Sequence, residues 1–152
     1  LSKMSNDYWM ANEGFLQKPK RATLRYLIPR RYEEGAVITV SPEDTLLTAF
    51  QRMRMADISQ VPVIENGQPI GILDESDVLM SVHTDPARFR EPVRTGMTSR
   101  LETLSADCSL EDVFNVLERG KVALIVDHAE HDAFIGLITR TDLINHLRRK
   151  LP

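Results

Sequence analysis

The sequence predicts a mixed α/β (α+β) chain: two tandem β-α-β-β-α repeats, packed as a pseudo-symmetric pair behind an N-terminal helical linker. Three observations predict it. A length of 152 residues suits one ordinary domain or two small ones. The series of strand, cap and helix face that opens at Val37 opens again at Leu101, 64 residues later. Both copies then close on Gly-apolar-apolar-x-x-x-Asp-apolar, at Gly71 to Val78 and at Gly136 to Leu143.

Taken in order, the chain first offers a lead-in. Leu1, Met4, Tyr8, Ala11 and Phe15 recur at three- and four-residue steps, the mark of one helix face. Gly14 and Pro19 end that pattern, Gln17 to Arg21 reads as a linker, and a short helix with Leu24, Leu27 and Ile28 stops near Pro29. In the first repeat, Val37 to Val40 is a β-branched strand, Ser41 to Thr45 a turn and helix cap, and Leu46, Phe50 and Met53 a helix face. Val61 to Ile64 and Ile70 to Leu73, joined at Asn66-Gly67, read as a hairpin running into the helix of Asp77, Val78 and Leu79. The second repeat matches it with Leu101 to Leu104, a cap region with Ser109 and Asp112 spaced as a capping box, and a face of Leu110, Val113, Phe114 and Leu117. Its hairpin is Val122 to Val126 and Phe134 to Ile138, leading to Asp142, Leu143 and Ile144. The divisions are a linker over 1–35, a first repeat over 36–85, a connector over 86–98 and a second repeat over 99–150. Units of this size bury little alone, so the pair is expected to share one core.

Composition narrows the function classes. Hydrophobic residues at 42% and charged residues at 27% describe a core-forming chain. A formal net charge of -3 argues against sequence-independent nucleic-acid binding. The charge is uneven: residues 1–32 hold seven basic and two acidic side chains, and the rest holds twelve basic and twenty acidic. The lone Cys108 has no internal disulfide partner, and a cytoplasmic setting is the default. No apolar run reaches the roughly 20 residues of a membrane span. The start at Leu1 suggests a piece of something longer.

The chemistry-bearing feature is the strand-to-helix turn at Gly136-Leu137-Ile138-Thr139-Arg140-Thr141-Asp142. Thr139 can donate to a phosphate oxygen, Asp142 can accept from ribose hydroxyls, and the helix N-terminus favours an anion. A plain reading competes: Thr139 or Thr141 caps the helix and Asp142 complements its dipole. The first repeat departs at the same turn, where Asp74, Glu75 and Asp77 put three carboxylates within four residues. That cleft is expected to repel phosphate, so the two sites should be unequal.

Two such repeats resemble the CBS domain pair, or Bateman module, over residues 36–150. The lead-in narrows the likeness: Asn6-Asp7-Tyr8-Trp9-Met10, Glu13-Gly14-Phe15-Leu16 and Leu24-Arg25 resemble the junction between catalytic and regulatory regions in cystathionine β-synthases. That resemblance implies a non-catalytic regulatory pair that binds S-adenosylmethionine, AMP or ATP between repeats. Its partners would be its own pyridoxal-phosphate catalytic domain and a second pair in a homodimer, with neither nucleic acid nor membrane. Residue by residue, it implies Thr139, Thr141 and Asp142 on one wall, and Ala36, Ile58, Ser59, Gln60 and Val61 on the other. Ser59 stands where the animal enzymes carry an aspartate, which leaves the methionine end of S-adenosylmethionine less well held and AMP or ATP open. Ordinary core packing is the competing reading of Ile58 and Val61. The rival functions are a free-standing nucleotide-binding protein and a ligand-free dimerisation module.

Other features read more simply. Asp127 to Asp132, with His128 and His131, is a solvated hairpin loop rather than a metal site. His83 and His146 read as helix-surface residues, and Cys108 as a packed or idle thiol.

Overall fold

The computed structural model describes residues 24, 27, 28 and 32–152. The helix and linker expected before Leu24 therefore lie outside the described residues. The strand expected at Val37 to Val40 contracts to one parallel bridge, from Val40 to Val63. Val40 donates to the Pro62 carbonyl at 3.1 Å and accepts from Ile64 N–H at 2.9 Å. Extending the ladder to Ile38 would need an N–H at Pro62, which proline lacks. The second repeat has Leu124 at the matching place, and there the strand β3 (Thr103–Ser105) forms in parallel with β4 (Ala123–Asp127).

Helix α1 (Leu46–Ala56) starts at Thr45, whose hydroxyl accepts from Thr48 N–H, and stops at Asp57 in the left-handed region. It buries Leu46, Ala49 and Met53. Strands β1 (Gln60–Glu65) and β2 (Gln68–Asp74) form an antiparallel hairpin. Asn66 and Gly67 at its tip both take positive φ, 54° and 79°, as a two-residue hairpin turn requires. Helix α2 (Glu75–Val82) follows directly. In the second repeat, helix α3 (Leu110–Glu118) carries the expected Ser109–Asp112 capping box. It buries Val113, Val116 and Leu117 and leaves Phe114 49% exposed, so Val116 takes the place expected for Phe114. Strands β4 and β5 (Ala133–Ile138) are antiparallel, and helix α4 (Arg140–Arg148) closes the repeat. Both hairpins shift register at matching places, Val63/Ile64 and Ile125/Val126.

The expected single core is three clusters. One belongs to the first repeat and includes Val40, Leu46, Met53, Val61, Val63, Leu73 and Val78. The connector completes it: Val93 is fully buried there, with Phe89 and Met97 against it. Val93 N–H donates to the Asp44 carbonyl at 2.7 Å, Thr98 bridges to Ile72, and Arg94 reaches both Glu43 and Glu65 at 3.1 Å. The second cluster holds Val113, Val116, Ile125, Ile135, Ile138 and Leu143, and it is completed by the lead-in. Leu24, Leu27 and Ile28 lie in it at 0, 3 and 4% exposure. Each repeat thus borrows core residues from the segment that precedes the other. The third cluster joins the repeats through Ile64, Leu124 and Phe134, with Tyr32, Val37, Ile72, Leu101, Val122 and Leu137 packed on it. One backbone bond crosses the same junction, from Phe134 N–H to the Gly67 carbonyl at 2.8 Å. Among the described residues, no helix is long and apolar enough to cross a membrane.

His146, expected on the surface, is 6% exposed on α4. Burial, with Lys150 and Arg149 adding like charge, lowers its pKa below the ordinary value of 6.5. The folded chain keeps the ring neutral while the unfolded chain protonates below that pH, so this contribution is present above about 6.5 and is lost as pH falls. Thermal melts at about pH 7.5 and 5.5 should show a lower Tm at the acid value, with a smaller drop in His146→Gln. An equal drop in both proteins would contradict the assignment.

Candidate functional site

The two strand-to-helix turns are built alike. At the end of β5, Thr139 Oγ1 accepts from Asp142 N–H at 3.3 Å, and Asp142 Oδ2 accepts from Thr139 N–H at 2.9 Å. At the end of β2, Asp74 Oδ1 accepts from Asp77 N–H at 2.8 Å, and Asp77 Oδ2 accepts from Asp74 N–H at 3.0 Å. Both are capping boxes, so the plain reading of Thr139 and Asp142 is realised. It does not exhaust them. A hydroxyl that accepts through one lone pair still carries its proton, and Asp142 keeps Oδ1 beyond the reciprocal bond. Thr139 and Asp142 are both partly exposed, and Thr141 is exposed beside them.

The turns differ in charge. Asp74, Glu75 and Asp77 face Thr139, Arg140 and Asp142 in the alignment of the two turns. Burial, opposed by a backbone hydrogen bond and reinforced by the neighbouring Asp74 carboxylate, holds the Asp77 carboxyl above the ordinary carboxylate range. A phosphate placed there would add to charge already crowded. Arg140 has no role in the sequence reading, although its exchange for Glu75 at the same step of the repeat marks it.

The residues expected on the opposite wall lie in two places. Tyr32 lies against Phe134 of β5 with ring centroids 5.4 Å apart and planes tilted by 53°, and Val37 packs on the cluster that contains Phe134 and Leu137. These contacts, at Tyr32 and Val37 on either side of Ala36, lie against β5, which ends at Ile138 just before Thr139. Ile58, Ser59 and Gln60 sit instead beside the first repeat's own turn: Ser59 C=O accepts from Glu75 N–H at 3.1 Å, and Gln60 pairs with Asp74. Among the described residues, no hydrogen bond links them to Thr139, Thr141 or Asp142. Ile58 packs partly against the first-repeat core, Ser59 is exposed, and Val61 is fully buried. The Val61 side chain is therefore core, the alternative already open for it.

Other constellations carry less. A surface cavity of about 380 Å³ lies between β3 and α3, away from the turns, and is edged by the ion pair of Arg119 and Glu102. In the hairpin loop, His128 Nδ1 meets Asp132 Oδ1 at 2.5 Å. Among the described residues, no group of three His, Cys, Asp or Glu could hold a metal ion.

Comparison with known proteins places this geometry. The family model described as CBS domain matches residues 32–84 and 93–149. An uncharacterized protein of Methanocaldococcus jannaschii, MJ1232, is 23% identical over 116 residues, covering 76% of this chain and 38% of that protein. Inosine-5'-monophosphate dehydrogenase of the same organism is 30% identical over 117 residues, covering 76% of this chain and 22% of the enzyme. The chain thus spans well under half the length of both relatives. The solved structure of CBSX2 in complex with AMP superposes with a TM-score of 0.68 at 17% identity, over 83% of this chain and 96% of that one, a likeness of fold.

Cys108 lies in the cap region, half-buried beside Asp112 and Asp107, and burial followed by those carboxylates pushes its thiol up to about 11. Thiolate at pH 8 is then roughly a thousandth of the total, so alkylation by iodoacetamide should be slow there and rise steeply toward pH 11. Reaction at pH 8 as fast as that of a small free thiol would contradict this.

Proposed function

We propose that this chain, which belongs to the CBS domain family, is a nucleotide-sensing regulatory pair whose working site is the Thr139–Asp142 turn. The observation that carries the reading is the charge difference between two turns of one geometry. Three carboxylates at the first turn oppose a phosphate; a hydroxyl, an arginine and one aspartate at the second suit an adenosine monophosphate. Asp142 Oδ1 would accept from the ribose hydroxyls. The Thr139 hydroxyl and Arg140, at the N-terminus of a nine-residue helix, would hold the phosphate. Ala36 and its neighbours on the β5 side would flank the base, with Ile58, Ser59 and Gln60 completing the wall only through some movement of the first repeat. The AMP bound to CBSX2 supports this ligand class, and so does the kinship with a dehydrogenase acting on a nucleotide.

The exposed apolar residues Leu79 and Met80 on α2, and Ile144 and Leu147 on α4, at 52–73% exposure, fit a second pair as partner. The protein that houses this one is a separate matter. A pyridoxal-phosphate cystathionine β-synthase host rests on Asn6 to Leu16 and Leu24-Arg25, of which Leu24 alone is among the described residues, and neither relative named above bears that description. Burial of Leu24, Leu27 and Ile28 in the second repeat favours a lead-in integral to the module, as in a free-standing nucleotide-binding protein.

Calorimetry with AMP, ATP and S-adenosylmethionine tests the site. AMP should bind at one site per chain, Thr139→Ala with Asp142→Ala should weaken it by at least about tenfold, and Asp77→Asn should leave it nearly unchanged. The double variant also removes a helix cap worth about 0.5–2 kcal/mol, so its Tm is measured alongside. Tighter binding of S-adenosylmethionine would move the ligand class, and silence toward all three would leave dimerisation as the function.

A further inference from the structure

We infer that the seating of Leu24, Leu27 and Ile28 in the second repeat sets the stiffness of the Thr139–Asp142 turn, making the lead-in the port through which this site is regulated; the regulatory meaning rests on the nucleotide site proposed above. The turn stands between two core side chains. Ile138, immediately before Thr139, is fully buried, and Leu143, immediately after Asp142, is 7% exposed. Both belong to the cluster that receives Leu24, Leu27 and Ile28. Further along the same segment, Tyr32 lies on Phe134 of β5, and Val37 packs on the cluster that includes Leu137, two residues before Thr139. The lead-in therefore backs the turn from inside and then runs on to form part of the facing wall.

Among the described residues, this segment meets the first repeat at the junction, where Tyr32 and Val37 pack on the cluster that also holds Ile64 and Ile72, while Leu24, Leu27 and Ile28 stay out of the first repeat's own core. That repeat's turn stands between Leu73 and Val78, whose cluster is completed by Val93 of the connector, not by the lead-in. A pull or a release applied on the N-terminal side of Leu24 is consequently felt in the repeat farther along the sequence. Linkage makes the relation reciprocal: whatever loosens the seating weakens the ligand, and the ligand tightens the seating by the same factor. Packing that can be in or out supplies the two-state element that such a relation needs.

A crossed pair of substitutions in the full chain tests it by amide hydrogen exchange. Leu27→Ala should speed exchange across α4, read at the Leu143 N–H that donates to the Thr139 carbonyl, by about tenfold, with α2 changed less than about twofold. Val93→Ala should do the reverse. Uniform acceleration of both helices by either variant, or a Leu27→Ala effect confined to α2, overturns the inference. Should Leu27→Ala not fold, Leu27→Val and Ile28→Val are read in the same way, with the same crossed pattern required. In the unaltered chain, AMP should slow exchange in both α4 and the lead-in. A crossed pattern without AMP binding would sustain the coupling and discard the nucleotide site; AMP binding with uniform exchange would sustain the site and discard the coupling.

Discussion

The burial of Leu24, Leu27 and Ile28 among the apolar side chains of the second repeat, mirrored by Val93 in the first, is the constraint from which the rest of this structure follows. Fully burying such a side chain contributes roughly 1.5–3 kcal/mol. Three together approach the 5–15 kcal/mol that holds an ordinary domain folded. A repeat stripped of its borrowed residues would leave Val113, Ile135 and Ile138 facing a gap. The reciprocal loan accounts for the two separate cores; among the described residues, the repeat junction is held by the smaller cluster around Ile64, Leu124 and Phe134, by the bond from Phe134 N–H to the Gly67 carbonyl and by Gln68 Nε2 donating to the His131 carbonyl.

On that frame the two strand-to-helix turns are geometric copies with different electrostatics. Capping boxes need only a side-chain acceptor at the cap and another three residues later, so Thr139 and Asp74 serve equally well. Ligand chemistry is less tolerant. A carboxylate at the cap accepts hydrogen bonds and offers none, and its charge adds to those of Glu75 and Asp77. The repeat could therefore change its binding character at one turn without disturbing the fold that both turns serve.

Much of this was legible in the sequence because it is local. The Asn66-Gly67 turn, the Ser109–Asp112 cap and the four helices rest on contacts within a few residues, and the 64-residue recurrence is the same local pattern met twice. The misses are long-range. Ile38 cannot extend its strand because of Pro62, more than twenty residues on. Phe114 and Val116 both suit the apolar face of α3, and only the packed neighbours decide that Val116 goes inside. His146 reads as surface until α4 is docked. The destination of the lead-in is the largest case: Leu24, Leu27 and Ile28 read as a short helix in a linker, and nothing local assigns them to the core of the second repeat. At the site, Thr139 and Asp142 were readable as a pair. The facing wall was not, since Ile58 to Gln60 lie beside the first repeat's own turn.

The exchanged segments also bear on where the chain can be divided. Residues 86–98 carry Val93 into the first core, and Leu24, Leu27 and Ile28 serve the second. A cut before residue 86 takes Val93 from the first repeat and leaves the second without the lead-in side chains. The repeats are two in sequence, but neither half holds a full interior once they are parted.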